Sequence, residues 1–217
     1  TTSIAPFATD EQRQIIREDA GLDDPLPVRY VQWLGDFVSG DMGNYYRGPT
    51  VTDPVSEDVW NGFGVSFQLM IYVQILTLVF AIPLGIFAAY RATSVFDKAA
   101  NAGAFALISL PNFVLGFILA FWVGVKLGWL PVSGYTPFGD DPVEHFRSMA
   151  LPAITLAAGQ IAIYTRLLRS DMIATLQEDF ILMAKSKGIS NARILWRHAL
   201  RPSSLTLLTV AGLNVGV

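Results

Sequence analysis

The chain of 217 residues contains no cysteine, so it forms neither disulfide bonds nor thiolate metal sites. Only 15% of its residues are charged, against about 25% in an average soluble protein. It also lacks a Gly-x-x-x-x-Gly-Lys-Ser/Thr phosphate loop, a His-Glu-x-x-His zinc motif and a Gly-x-Ser-x-Gly nucleophile motif. These absences argue against a soluble protein and against a hydrolytic enzyme. They predict that the chain holds no cofactor and no metal of its own.

Long uncharged stretches are present instead, and 52% of the residues are hydrophobic. No charged residue lies between Asp58 and Arg91 or between Lys98 and Lys126. Both stretches exceed the roughly 20 apolar residues that cross a bilayer. The uncharged stretch 148–165 is shorter and needs flanking leucines to reach across. We therefore predict an all-α, polytopic membrane protein with spans at about 64–90, 99–126, 148–169 and 203–217, of which the last is truncated.

Charge is distributed unevenly along the chain. Residues 1–62 carry four basic and eleven acidic groups, whereas residues 166–201 carry seven basic and three acidic groups. Because basic residues close to spans stay in the cytoplasm, we expect 91–98 and 166–201 to be cytoplasmic and 1–62 and 126–147 to be external. An external head without a signal sequence also predicts a further span before Thr1. The basic residues are few and lie beside the membrane, so lipid is an expected partner and nucleic acid is not.

The external head is predicted to be mostly helical. Helical periodicity indicates one short helix over residues 10–20. A second helix, containing Val31 and Val38, is expected to stop at Gly40. Residues 41–53 show no strand pattern and are predicted to be a loop.

A few residues at membrane depth are candidates for a translocation path. A proline inside a span removes a backbone donor, which frees a carbonyl and bends the helix, although such bends serve packing equally well. Polar side chains in a span, among them Gln68, need a hydrogen-bond partner or water, and they either line a path or bond a neighbouring helix. The candidate path residues are Gln74, Pro111, Asn112 and Gln160.

The basic segment 166–201 contains an amphipathic pattern. Between Asp171 and Lys187, apolar residues recur at steps of four, four and three, which predicts one helix with an apolar face. Gly188 supplies the left-handed position that ends a helix, and Ser190 is placed to cap the next one. Such a helix either rests on lipid headgroups or fills a groove in a partner protein, and periodicity alone leaves both readings open. The apolar face comprises Met172, Leu176, Phe180 and Met183.

Three separated sequence motifs resemble those of a known family. One is the pair of runs 184–188 (Ala-Lys-Ser-Lys-Gly) and 197–201 (Arg-His-Ala-Leu-Arg). Another covers 21–43, from Gly-Leu-Asp-Asp-Pro-Leu-Pro to Gly-Asp-Met-Gly, and the third is Leu-Pro-Val-Ser-Gly-Tyr at 130–135. In their order along the chain they resemble the permease subunits of ABC importers, the binding-protein-dependent type I family. Within that family they are similar to the first permease of the dipeptide/oligopeptide branch.

The resemblance implies a fold and a function. The fold is the type I importer transmembrane domain over residues 63–217, with about four of six spans in this chain, and an external segment over residues 1–62. The function is that of a permease subunit, not an enzyme, which moves di- and oligopeptides delivered by an external binding protein across a prokaryotic inner membrane. ATP and Mg²⁺ are expected on separate ATP-binding cassette subunits, and a second homologous permease is a further expected partner.

The resemblance also implies a site, because the segment from about 175 to 188 matches the coupling helix that sits in a groove of the ATP-binding subunit. In this reading Phe180 and Met183 are groove anchors, Ala184 belongs to the matched run and Gly188 permits the turn. The charged residues at the rim of the groove are Glu178, Asp179, Lys185 and Lys187.

Other cargoes and other transport classes remain as alternatives. Nickel chelates, glutathione, opines and oligosaccharides travel through permeases of the same family. A secondary transporter is a different class, but the absence of charged residues from the first three apolar stretches argues against proton or sodium coupling. A channel is the other alternative, although it does not explain the cytoplasmic helix.

Overall fold

The computed structural model describes Thr9, Gln14, Arg17 and residues 23–46 and 52–214. It divides into two compact units, Thr1–Phe67 and Gln68–Val217. The helix predicted over residues 10–20 lies outside the described residues, apart from the two positions named above.

In the first unit, helix α1 (Leu26–Ser39) has prolines at its start, where a missing backbone donor costs nothing. It stops at Gly40, which has a φ of 93°, so the predicted stop is confirmed. The prediction of a loop over 41–53 is wrong in part, because β1 (Asn44–Tyr46) and β2 (Thr52–Pro54) form an antiparallel pair. Each strand has three residues, which is too short for an alternating pattern to be recognised in the sequence.

Helices account for most of the rest of the described chain, and π-helical segments follow two of them. In chain order they are α2 (Val55–Tyr90), α3 (Val95–Ser109), α4 (Asn112–Leu119) with the π-helical segment Ala120–Lys126, α5 (Pro142–Thr175), α6 (Asp179–Ser186), α7 (Asn191–Arg193) with the π-helical segment Ile194–Ala199, and α8 (Leu200–Leu213). Helices α2 and α5 are each long and apolar enough to cross a membrane.

The second predicted span is broken. Residues 99–126 were expected to form one bent helix, but α3 and α4 meet at an angle of 100°. The break lies at Leu110 and Pro111, where Leu110 is extended and Pro111 precedes the first residue of α4. A proline disfavours the helical conformation of the residue before it, which explains a break where a bend was predicted.

Contacts along α5 show that α2 and α5 run in the same direction. Tyr72 of α2 is hydrogen-bonded to His145 near the start of α5. Thirteen residues further along α2, a Cβ atom at Gly85 would lie 3.1 Å from the side chain of Leu168, near the end of α5. Two parallel helices need a return crossing between them.

The broken segment supplies this return. Asp97, near the start of α3, pairs with Arg169 near the end of α5, and the carbonyl of Trp129 accepts a hydrogen bond from Arg147 near its start. Since a helix rises 1.5 Å per residue, the two arginines are separated by about 33 Å along α5. The segment between α2 and α5 therefore extends along α5 over about the thickness of a bilayer core, as expected for one broken span rather than a re-entrant loop.

The largest core cluster surrounds the last part of α5, from Tyr164 to Thr175, which we call the arginine end. Small residues of α2 pack there against Leu168 and Met172, together with apolar residues of α6, of the π-helical segment Ile194–Ala199 and of α8. A smaller cluster joins Val73 to Ala153 and Ala157. The arginine end is thus the point where the long helices meet the short helices that follow them.

Candidate functional site

Helix α6 is separate from α5, so the prediction of one helix from Asp171 to Lys187 is wrong. Helix α5 ends at Thr175, and the backbone amides of Gln177 and Glu178 bond in a turn before α6 begins. The separation matters because the predicted apolar face assumed one continuous helix. Residues on either side of the turn do not share that face.

The apolar residues of α6 fall on two faces. Ile181 is fully buried and Ala184 is 8% exposed, and both pack in the core cluster of the arginine end. Phe180 and Met183 are 45% and 57% exposed. At 100° per residue these two side chains lie about 60° apart, so they form one exposed apolar face, whereas the exposed Leu182 lies about 160° from Phe180.

Charged residues flank this exposed face of α6. Glu178 precedes the helix, Asp179 is in its first turn and Lys185 in its last, an order that complements the helix dipole. Lys187 follows directly after the helix, and all four charged residues are exposed. The described structure therefore presents an apolar patch with acidic groups at one end and basic groups at the other.

Gly188 ends this region as predicted, with a φ of 73°. Its backbone N–H donates to the carbonyl of Lys185 at 2.9 Å, and the N–H of Ile189 donates to the carbonyl of Ala184 at 3.2 Å. These two bonds form a Schellman motif, in which a left-handed residue satisfies the last carbonyls of a helix. Ile189 packs on the core cluster and closes the motif with an apolar contact.

Hydrogen bonds also tie the neighbourhood of α6 to the long helices. The side-chain amide of Asn191 donates to the hydroxyl of Tyr90 at 3.1 Å, which joins α7 to the end of α2. The hydroxyl groups of Ser203, in α8, and Thr175, the last residue of α5, are hydrogen-bonded at 2.8 Å. Helix α6 is therefore held between elements that are themselves bonded to α2 and α5.

The four candidate path residues are only partly brought together. Asn112 borders a cavity of about 460 Å³ that is also lined by α5 residues such as Ser148 and Thr155. Its Oδ1 atom lies 3.7 Å from where a Cβ of Gly159 would be, next to Gln160 in the chain. The Oε1 atom of Gln160 is buried without a hydrogen-bond partner in the described part of the chain.

The two remaining candidates, Pro111 and Gln74, and the polar residue Gln68 are placed differently. Pro111 is exposed at the break between α3 and α4, and Gln74 is half-buried on α2 with no side-chain hydrogen bond within the described ranges. Gln68 accepts a hydrogen bond from Tyr135 at 3.1 Å, one of the two roles expected for it. The structure therefore places Asn112 beside Gly159 of α5, the chain neighbour of Gln160, and no hydrogen bond in the described residues joins either candidate to Gln74.

Sequence reasoning did not identify the ion pair at the arginine end. Asp97 is 3% exposed, and its carboxylate accepts hydrogen bonds from the Arg169 guanidinium and from the side-chain amide of Asn101. The sequence does contain one signal for an ordered carboxylate. Asp97 lies three residues after the helix-capping Ser94 and at the edge of a long uncharged stretch. Its partner, 72 residues away, has no such signal.

Sequence reasoning also gave no structural role to His145. Its ring is fully buried near the start of α5, where Nδ1 lies 2.7 Å from the carbonyl of Thr136 and Nε2 lies 3.0 Å from the hydroxyl of Tyr72. A carbonyl only accepts, so Nδ1 carries a proton, and in the neutral ring Nε2 then accepts from the tyrosine. The rings of Tyr135 and Phe138 make T-shaped contacts with the same imidazole. The histidine thus fixes the segment 127–141 to α2 and α5.

Taken together, these elements define a polytopic helical membrane protein with an exposed, charge-flanked apolar helix at one end of its long helices. Within the described residues, no group of three or more His, Asp or Glu side chains is placed to hold a metal ion.

Residues 81–217 match the family described as binding-protein-dependent transport system inner membrane component. The chain belongs to this family of transport permeases. The match includes the arginine end of α5, all of α6 and Gly188.

Curated relatives carry names of the same kind. The oligopeptide transport system permease protein AppB of Bacillus subtilis is 34% identical over 218 residues, covering 99% of this chain and 68% of the relative. A probable peptide ABC transporter permease protein of Sinorhizobium fredii is 32% identical, covering 96% of this chain and 66% of the relative. The dipeptide transport system permease protein DppB of Bacillus subtilis is 36% identical, covering 88% of this chain and 59% of the relative. The chain thus spans between 59% and 68% of the length of these three relatives.

Proposed function

We propose that this chain is the membrane permease subunit of an ATP-driven importer that moves di- and oligopeptides delivered by an external binding protein. The observation that carries the proposal is the exposed apolar face of α6, formed by Phe180 and Met183, with charged residues at both ends. An apolar helix face of this kind fits a hydrophobic groove in a partner. Peptide is the favoured cargo because the relatives are named for peptide, oligopeptide and dipeptide transport. Nickel chelates, glutathione and oligosaccharides are the alternative cargoes.

In this mechanism the groove belongs to an ATP-binding subunit. Two such subunits close on ATP and Mg²⁺, which they hold themselves, and carry the α6 helices of two homologous permeases toward each other. Phe180 and Met183 anchor α6 in the groove, while Glu178, Asp179, Lys185 and Lys187 make rim contacts. Ala184 contributes differently, because it is buried and packs α6 onto the rest of the chain.

The contacts at the two ends of α5 support the grouping of segments in the topology that we propose for a prokaryotic inner membrane, in which the more basic end is cytoplasmic. The turn after α2 and the segment after α5 lie at the same end, since Asp97 pairs with Arg169 and Tyr90 bonds Asn191. Residues 91–98 and 166–201 are therefore proposed to be cytoplasmic together. The segment 126–147 lies at the other end and is proposed to be external, as are residues 1–62. In this assignment residues 63–217 form the transmembrane domain.

The proposed translocation path includes Asn112 and Gln160, with Pro111 at the break directly before Asn112 and with Gln74 on helix α2. The support is the buried, unpartnered Oε1 atom of Gln160 and the cavity beside Asn112. A polar atom left without a partner inside an apolar bundle is unfavourable unless water or a solute reaches it.

Three consecutive residues of α6 allow a sharp test in the full-length protein expressed with its neighbouring subunits. Phe180→Ala is expected to abolish peptide uptake and co-purification of an ATPase subunit, while membrane insertion stays normal. Leu182→Ala is the matched control, because Leu182 is as exposed as Phe180 but lies on another face. Ile181→Ala is expected to lower the yield of folded protein, since Ile181 is buried.

Normal uptake by the Phe180→Ala variant, or equal loss of uptake in Leu182→Ala, contradicts the proposed groove contact. The rival transport classes are separated by the energy source. Uptake that persists without ATP, or that stops when the proton gradient is dissipated, identifies a channel or a secondary transporter instead.

A further inference from the structure

The ion pair between Asp97 and Arg169 satisfies the whole carboxylate. Oδ1 accepts from Nε of Arg169 and, at 2.8 Å, from the side-chain amide of Asn101. Oδ2 accepts from a terminal nitrogen of Arg169 at 2.6 Å and from the backbone N–H of Thr93 at 2.8 Å. A guanidinium that meets a carboxylate with two parallel bonds fixes both distance and orientation. This contact therefore resists sliding in a way that apolar packing does not.

The pair also holds the turn between α2 and α3. Thr93 has a φ of 69°, an unfavourable conformation for a β-branched residue, and its N–H is one of the four donors to Asp97. Ser94 caps α3 by accepting from the backbone N–H of Asp97 at 3.3 Å. The carboxylate thus organises the turn and the first turn of α3 at once, in addition to binding α5.

Arg169 lies six residues before Thr175, where α5 ends and the turn into α6 begins. On either side of it, Leu168 packs against Gly85 of α2 and Met172 packs in the same core cluster as Ile181 of α6. A displacement of α6 therefore reaches Arg169 through a short stretch of helix in which Met172 is buried. From Arg169 the only charged contact in the described residues leads to α3.

We propose that the Asp97–Arg169 pair is a positioning element of the transport cycle, which makes α3 follow α5 when the ATP-binding subunits displace α6. This inference rests on the proposed function and adds a specific route for the motion. The pair belongs to neither the groove contact nor the candidate path. Its role is to make the broken second span move together with α5.

The first measurement is peptide uptake per ATP hydrolysed by the intact importer in proteoliposomes with its binding protein. Asp97→Asn and Arg169→Lys are expected to lower this ratio at least tenfold while complex yield and basal ATP hydrolysis stay within twofold of the unmodified importer. Arg169→Lys keeps the positive charge but loses the two parallel bonds, so it remains informative where Asp97→Asn fails to assemble. Glu144→Gln is the matched control, because Glu144 forms an exposed pair with Arg147 within α5 alone and joins no second helix.

The second measurement follows the motion itself. Spin labels are introduced at Val95→Cys and Ala174→Cys, which are exposed positions at the start of α3 and near the end of α5, in an importer whose partner subunits have had their cysteines replaced. The chain has no cysteine of its own. The distance between the labels is expected to be the same in the nucleotide-free and ATP-trapped importer. In the Arg169→Lys background it is expected to differ between the two states.

The outcomes separate the two proposals. If the unmodified importer takes up no peptide with ATP, the proposed function is wrong and the positioning role falls with it. If the unmodified importer transports but Arg169→Lys and Asp97→Asn keep its uptake per ATP, the positioning role alone is wrong. A loss of uptake that merely parallels a loss of complex yield, with an unchanged label distance in both states, also overturns the positioning role, because it shows a contribution to stability only.

Discussion

The two ends of α5 are attached to the rest of the chain by different chemistry. Near its start, the buried ring of His145 joins α5 to Tyr72 and to the carbonyl of Thr136, among aromatic rings. At the arginine end, Asp97 and Arg169 form a bidentate ion pair. The first attachment uses neutral groups and the second uses charge.

The difference has a physical consequence. Neutral hydrogen bonds and ring contacts each contribute modestly, and the loss of one leaves no buried charge behind. Removing one partner of a buried ion pair leaves the other charge uncompensated, which costs much more. We therefore expect single substitutions at the arginine end, which leads into α6, to destabilise the protein more than substitutions near the start of α5.

The largest effect is expected for Asp97→Ala. It removes four hydrogen bonds and leaves Arg169, whose side chain is 24% exposed, without its partner. The expected destabilisation is about 3 kcal/mol, at the lower limit for a buried pair because solvent reaches the guanidinium. Thermal unfolding of the full-length protein in detergent measures it.

Glu144→Ala is the control for that measurement, since it breaks an exposed ion pair on the same helix. Its effect is expected to stay below about 1 kcal/mol. Equal destabilisation by the two alanine variants contradicts the distinction drawn between the ends of α5.

The next effect is expected for His145→Phe, which keeps an aromatic ring but removes both hydrogen bonds. The carbonyl of Thr136 and the hydroxyl of Tyr72 lose their partner, at a cost of about 2 kcal/mol. Faster hydrogen exchange is expected over residues 127–141 and unchanged exchange in α6. Exchange that rises equally at both ends argues that α5 responds as one unit.

Local backbone rules made part of this structure predictable. Gly40 and Gly188 end their helices in the left-handed conformation, as expected from residue type alone. The uncharged stretches identified the long helices α2 and α5. The missing backbone donor of proline marked Pro111 as a disruption. The sequence did not show that the helix breaks completely, because the angle between α3 and α4 depends on packing against α5.

Other features depend on contacts that no local pattern contains. The turn between α5 and α6 has neither glycine nor proline, so the sequence predicted one helix through it. With the turn in place, Ile181 faces the core and Phe180 does not. The partnership of Asp97 with Arg169 joins residues 72 positions apart, and it becomes visible only when α3 is placed beside α5.

Packing between α2 and α5 at the arginine end gives a smaller expected effect. At Gly85→Ala the new methyl group would lie 3.1 Å from Leu168, so either the side chain or the helix must shift. Overpacking of this kind costs about 1–2 kcal/mol. Gly103→Ala is the control, because a Cβ at this helical position meets no atom within 4 Å and is expected to stabilise by about 0.5–1 kcal/mol. Opposite signs in thermal unfolding confirm that contact with Leu168 decides the outcome.

The smallest effect on stability is expected at Gly188, where α6 ends. A Cβ there meets no atom within 4 Å, so the cost of Gly188→Ala is the left-handed backbone conformation alone, about 1 kcal/mol. Gly188→Asn is expected to cost less, because asparagine adopts that conformation more readily. Gly188→Asp is expected to abolish transport despite a similarly small effect on unfolding, because it adds a negative charge beside Lys185 and Lys187 at the proposed contact with the ATP-binding subunit. Uptake and unfolding that change in proportion across the three variants would instead make this glycine a purely structural residue.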